Sequence, residues 1–241
     1  MGAWGSGIFQ NDLSQDELCE VADSIESALA DLGEPGPETG AQLAAGIALL
    51  MQFSPYSLDA ESPSRERILA AVEGHRSSIE NPSAELTAAL DAIVAGERPE
   101  YDVIKFPVDV ETALHGPQQS EFPVQKTWAR PPEGSFDHPA ARAFVKGVAD
   151  SCAAKAEALF LESEEWVLGD LCREGYGMGN FGLLLVLDPI DLDVERVRKW
   201  RARWEAGKGE PHPSEADFIL EYESCVAKAF DALEAKCAPT S

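Results

Sequence analysis

Apolar positions recur along the chain at helical spacing, in segments separated by short turn-rich breaks. From Ser14 to Leu32, the residues Leu18, Val21, Ile25, Ala28, Leu29 and Leu32 mark one face of a helix. Ser14 and Glu17 stand three apart at its start and read as a capping box, in which hydroxyl and carboxylate each satisfy a free backbone donor. Gly33 supplies a stop, and Glu34-Pro35-Gly36-Pro37 a connector. Thr39 opens a run through Leu43, Ile47, Leu50 and Phe53 that has little polar face, which predicts a helix central to the core. A third helix begins at Pro63 and carries Ile68, Leu69, Val72 and Ile79. Asn81-Pro82 provides the N-cap and first turn of a fourth, with Leu86, Leu90, Ile93 and Val94 inside and Gly96 at its end. These four helices fit an antiparallel cluster.

The pattern changes after Gly96. Tyr101 to Val108 and Phe122 to Trp128 are β-prone stretches broken by Pro107 and Pro123, which suits short edge strands. Arg130-Pro131-Pro132-Glu133-Gly134 reads as a loop. Asp137, followed by Pro139, begins a long helix through Phe144, Val148, Cys152 and Leu159. Gly182 to Leu187 is the clearest strand, a short Leu and Val run bounded by Gly and by Asp188-Pro189. Asp191 or Asp193 caps a helix through Val197, Trp200 and Trp204. Ser214 with Asp217 opens the last helix, through Phe218, Tyr222, Cys225, Ala229 and Leu233. The expected fold is mainly α. It has a helical N-terminal cluster over 1–98 and a smaller α+β C-terminal half over 99–241, with the two regions free to pack as one unit.

Composition narrows the class. The 241 residues allow one large domain or two small ones, and 44% hydrophobic with 26% charged residues is ordinary globular usage. Against 43 acidic residues stand 19 basic ones, a net charge of −24. That excess excludes general affinity for nucleic acid, which needs clustered Lys and Arg, and for anionic membranes. The charge is uneven. Eleven acidic residues precede the first basic one, Arg65, while six of the 19 basic residues fall between Arg196 and Lys208. On that stretch the helical period sets Val197, Trp200 and Trp204 along one face and fans the arginines outward. The Trp pair is therefore expected in the core or at a subunit interface, and the arginines on the protein's own carboxylates.

The five cysteines, Cys19, Cys152, Cys172, Cys225 and Cys237, are odd in number, widely spaced and without a C-x-x-C pair, so reduced and mostly buried thiols are expected. The start of the chain lacks the basic and apolar stretches of a signal peptide, and the apolar run Ala41 to Phe53 is too short to span a bilayer. Gly2 and Ser6 satisfy a myristoylation pattern, but no basic cluster follows to supply a second anchor. A cytoplasmic protein is expected.

Candidate chemistry is sparse. Gly177-x-Gly179-x-x-Gly182 has a predicted helix before it and a strand after it, the reverse of a dinucleotide fingerprint, and reads as a turn feeding a buried strand. Leu183 to Asp188 resembles a Walker B segment without a Walker A partner. Asp188, Asp191 and Asp193 are the oxygen donors that Mg²⁺ or Ca²⁺ would take, and they carry the alternative reading of a metal-dependent hydrolase. Helix capping accounts for Asp191 or Asp193 more simply. His75, His115, His138 and His212 have no metal-binding spacing, so neither a metal site nor a cofactor is expected, and no catalytic residue is named.

The most distinctive stretch is the start, Met1-Gly2-Ala3-Trp4-Gly5-Ser6-Gly7-Ile8-Phe9-Gln10-Asn11-Asp12. Gly5 and Gly7 permit backbone angles closed to other residues, which lets Trp4 and Phe9 fold back onto the following helix while Asn11 or Asp12 ties up free amides. The stretch resembles the N-terminal signature M-G-x-W-G-x-G-x-F-x-N-D of a bacterial family, domain of unknown function four-two-five-nine. Met1, Gly2, Trp4, Gly5, Gly7, Phe9, Asn11 and Asp12 match it, Leu13-Ser14-Gln15 departs from its usual continuation, and the resemblance covers about the first hundred residues. It implies a bacterial cytoplasmic setting and no activity. An aromatic-Gly-x-Gly-x-Phe echo at Tyr176 to Phe181 is read as coincidence.

Without a catalytic constellation, and with an acidic helical face, the expected function is a non-enzymatic protein-binding module. Its sharper form is an acidic immunity or inhibitor protein against a basic toxin. Candidate binding residues are Trp4, Gly5, Gly7, Phe9, Asn11 and Asp12 of the opening motif and Trp200 and Trp204 of the basic helix. The expected partners are a basic protein or, through the Trp200/Trp204 face, a second copy of the chain.

Overall fold

A computed structural model of the chain describes residues 6–10, 12–117, 128–162, 177–188, 190–208 and 216–238. The described residues form helices α1 (Asp12–Ala30), α2 (Pro37–Phe53), α3 (Arg65–His75), α4 (Ala84–Ala95), α5 (Val108–His115), α6 (Pro139–Glu157), α7 (Met178–Val186), α8 (Val194–Gly207) and α9 (Ala216–Cys237). Among them there is no strand, only a single antiparallel bridge between Val103 and Ala129. The mainly helical expectation therefore stands, and the α+β C-terminal half does not.

The chief correction concerns Gly182 to Leu187. The run lies in and just after α7, a helix buried along its whole length. An unbroken apolar run has no alternation to separate a strand from a helix that is covered on all sides, and the flanking glycines suggested a strand. At 101–104 the β-prone pattern yields only the bridge, with Ile104 N–H donating to Trp128 O at 2.7 Å and Arg130 N–H to Asp102 O at 2.7 Å. Val108 begins α5 instead of ending a strand, and 122–127 lie outside the described residues.

The chain forms two compact units that do not follow sequence order: 1–17, 105–126 and 149–241 make one, 18–104 and 127–148 the other. The second unit is organised around α2. Its residues from Leu43 to Phe53 are all buried, as expected from the missing polar face. Gly46 lies where a Cβ would meet the side chain of Leu29, so α1 and α2 approach closely. Phe53 meets Trp128 edge to face with ring centroids 6.3 Å apart. Arg65, buried at the start of α3, donates from its guanidinium to the carbonyls of Leu58 and Ile93. In α4 the N-cap is Ser83, whose hydroxyl accepts from Leu86 N–H at 3.1 Å, not Asn81-Pro82 as the sequence indicates. Asn81 instead takes a left-handed turn at φ 49°, which Asn tolerates better than most residues. Gly96, at φ 81°, closes the helix as predicted.

The first unit is built on aromatic packing. Phe160 lies in a turn of π-helix that continues α6. It packs against Phe181 of α7 and Phe230 of α9 at 5.2 Å each, and against Trp200 of α8 at 6.2 Å. Trp204 completes the cluster, 5.5 Å from Phe230. No helix of the described residues is long and apolar enough to cross a membrane.

Candidate functional site

The opening motif is a structural wedge in the first unit. Ser6 to Gln10 are all buried. Gly7 N–H donates to Gln10 Oε1 at 2.8 Å, while Ile8 and Phe9 donate their amides to Ala113 O and Leu114 O of α5 at 2.9 Å each. A Cβ on Gly7 would fall on the backbone of His115 and Gly116. Gln15 Nε2 of α1 donates to the Phe9 carbonyl at 2.8 Å, while the Phe9 ring lies against Gly182 of α7 and not on the helix that follows the motif. Asp12 is the first residue of α1, while Trp4, Gly5 and Asn11 lie outside the described residues.

The wedge packs on α7. A Cβ at Gly182 would approach Phe9 Cε2 to 2.7 Å and Ile8 Cγ2 to 2.8 Å. Gly182→Ala is therefore expected to destabilise the protein by about 1–3 kcal/mol, the usual cost of overpacking, read as a lowered thermal midpoint. The two glycine motifs are thus partners in packing.

Glu17 corrects a second expectation. Its carboxylate, fully buried, does not turn back to Ser14. It accepts from the N–H of Gly177, from the N–H of Asn180 at 2.8 Å and from Asn180 Nδ2 at 2.7 Å. Gly177, at φ 107°, is the N-cap of α7. The Gly177-x-Gly179-x-x-Gly182 motif does open a helix, and that helix's N-terminus is filled by the protein's own carboxylate where a nucleotide-binding fold would place phosphate. At the other end, Lys236 Nζ donates to Leu185 O at 3.2 Å, to Leu184 O at 3.4 Å and to Leu187 O. An acceptor at the N-terminus and a donor at the C-terminus satisfy amides and carbonyls that a helix leaves without partners at its ends. Burial pushes the Glu17 carboxyl above its usual range, although the Asn180 and Gly177 amides pull it down. Burial likewise lowers Lys236, with Asp188 opposing. Cys152 is pushed up to about 12 by burial, so its thiol is inert.

Several cations of the basic helix α8 are answered from within. Arg196 Nε donates to Glu157 Oε2 at 3.0 Å. Arg198 pairs with Glu195 and, at 3.5 Å, with Glu234. Arg201 reaches Asp231 at 2.7 Å, Glu234 at 3.1 Å and Glu205 at 3.1 Å. Lys208 pairs with Glu223 at 3.6 Å and stands 3.7 Å above the Trp204 ring. Trp200 and Trp204 are 0% and 2% exposed, covered by this chain's own phenylalanines. Asp193 caps α8 by accepting from Glu195 N–H at 3.0 Å. Among the described residues no three His, Cys, Asp or Glu side chains form a group fit to hold a metal, so Asp188, Asp191 and Asp193 are not gathered into one.

A concavity lies in the second unit. It is a cleft of about 730 Å³ between α1 and the 54–64 segment, with α3 and Arg98 at its edge. Asp23 and Glu26 face it from α1, Asp59 and Glu61 from the turn, and Arg67 and Arg98 close it. Arg67 reaches Glu26 at 3.5 Å, and Arg98 reaches Asp59 at 3.2 Å. Asp23 and Glu61 have no cation partner among the described residues. Tyr56, 77% exposed, forms a wall. None of these residues stands out in the sequence, where they are spread over some eighty positions. The one local signal is a tyrosine inside a Ser-Pro-x-Ser turn, a poor place to bury a ring.

No family model, curated protein or solved structure matches the chain, so the family resemblance of the opening motif rests on the motif residues alone.

Proposed function

We propose that this chain is a non-enzymatic protein-binding module whose partner is basic, in the manner of an acidic immunity or inhibitor protein. The observation that carries this reading is where the positive charge goes. The second unit holds 18 acidic residues against seven basic ones. All six of its arginines are already engaged by the chain: Arg65 and Arg142 on carbonyls, Arg67, Arg76, Arg98 and Arg130 on carboxylates. Arg196, Arg198 and Arg201 of the cationic helix α8, and Lys208 just after it, are paired with carboxylates of their own unit. An acidic surplus of this kind supports a basic partner, because an acidic surface speeds and selects encounter with a basic protein.

Co-purification from the native host tests the reading. The expected result is a basic protein retained at low salt and released as ionic strength rises several-fold. Recovery of no salt-sensitive basic partner overturns it.

A further inference from the structure

We propose that a small pocket between the starts of three helices of the second unit is a binding site for a neutral carboxamide group. The proposal does not depend on the basic-partner reading. The observation that points to a ligand is Ser135. It is 3% exposed, and its Oγ has no hydrogen-bond partner among the described residues. Burying a hydroxyl without a partner is costly, so such groups are normally paired. Ser135 lines a pocket of about 50 Å³, where an incoming acceptor meets it.

The surroundings favour an oxygen acceptor. Pro37 opens α2, Ser83 caps α4 and His138 precedes Pro139, the first residue of α6, and all three line the pocket. Helix starts present unpaired backbone amides and the positive end of the helix dipole. His138 adds a side-chain donor. Its Nδ1 accepts from Ala140 N–H at 3.1 Å, so the ring proton is on Nε2.

A carbonyl fits these donors better than an anion does. Among the described residues no Lys or Arg lines the pocket, while Glu80 and Glu133, both exposed, do. An anion would pass two like charges and find no cation to receive it, whereas a carbonyl meets the same donors without that repulsion. Ala41, Ala44 and Leu86, all buried, supply an apolar wall. The volume suits a group of about four non-hydrogen atoms, the size of acetamide. Its methyl matches the apolar wall, its carbonyl the donors, and its N–H groups the acceptors Glu80 and Glu133.

The test is acetamide titrated into the isotope-labelled full chain and followed by amide correlation NMR. The resonances of Ala41, Leu86 and Ser135 are expected to shift together and to saturate on the order of tens of millimolar, the affinity open to so small a ligand. Sodium acetate at matched ionic strength is expected to bind at least about fivefold more weakly. Ser135→Ala is expected to weaken acetamide binding about fivefold and, without ligand, to leave the thermal midpoint unchanged or raised, because it removes an unpaired hydroxyl. Ala41→Val fills the pocket from its apolar wall and is expected to abolish the saturable shift.

No saturable shift below about 200 mM acetamide overturns the proposal. A midpoint lowered by Ser135→Ala overturns it too, since the hydroxyl would then already be satisfied by structural water. Acetate binding as tightly as acetamide overturns the neutral class of ligand. Undiminished acetamide binding by Ser135→Ala overturns the role of the hydroxyl that defines the site.

Discussion

Glu17→Ala is expected to lower the unfolding free energy by about 3–5 kcal/mol, because it leaves three buried donors without an acceptor. Those donors are the N–H groups of Gly177 and Asn180 and the side-chain amide of Asn180. The first two sit at the N-terminus of a helix with no exposed face, so water cannot replace the carboxylate without entering the core. Urea denaturation followed by far-UV circular dichroism reads the effect. A loss below about 1 kcal/mol, typical of a solvent-exposed cap, would show that the carboxylate is dispensable there.

Glu17→Gln separates charge from shape. Burial raises the Glu17 carboxyl, so the folded state holds its proton more tightly than the unfolded chain does. The stability this group contributes is then fully present below its ordinary value of 4.5 and is lost as pH rises through its raised folded value. Gln does not titrate. The advantage of the native protein over Glu17→Gln is therefore expected to shrink from acid to neutral pH, and taking the difference between the two proteins cancels the other carboxylates. A difference that grows with pH would reverse the assignment and make Glu17 a net-favoured anion.

The misreading of Glu17 illustrates what a sequence pattern can carry. Ser14-x-x-Glu17 satisfies the local form of a capping box, and nothing within a turn of it announces a residue 160 positions away. The helix actually starts at Asp12, so Ser14 and Glu17 are already inside it. By contrast α2 was legible from its missing polar face alone, because burial on all sides is a property of the segment itself. The wedge was partly legible: the glycines announced a turn, but Gly7 is required by its close approach to the His115 and Gly116 backbone and not by a positive φ, and the seat of Phe9 on Gly182 could not be inferred without the fold. The internal pairing of the α8 arginines followed from the acidity of the chain, although not its particular partners on α9. The cleft was invisible because Asp23, Tyr56, Glu61 and Arg98 belong to separate elements, and only tertiary packing brings them to one rim.

Trp200→Ala is expected to destabilise the first unit by about 3–5 kcal/mol, and Trp204→Ala by a similar amount, the range for emptying a buried aromatic site. Trp200 stacks on Phe160 at an interplanar angle of 22°, and Trp204 lies over Phe230 at 38°. Phe160 also touches Phe181 and Phe230, so a cavity at Trp200 removes support from α6, α7 and α9 together. Collapse is limited because α7 is already pinned at both ends by Glu17 and Lys236. The same variants separate the two roles open to a Trp pair on a basic helix. As core residues, they give a denaturation midpoint that does not vary with protein concentration, and light scattering finds the same mass before and after substitution. A midpoint that rises with concentration in the native protein but not in Trp200→Ala would assign the rings to an interface between copies instead. Their burial by Phe160 and Phe230 of the same chain predicts the first outcome.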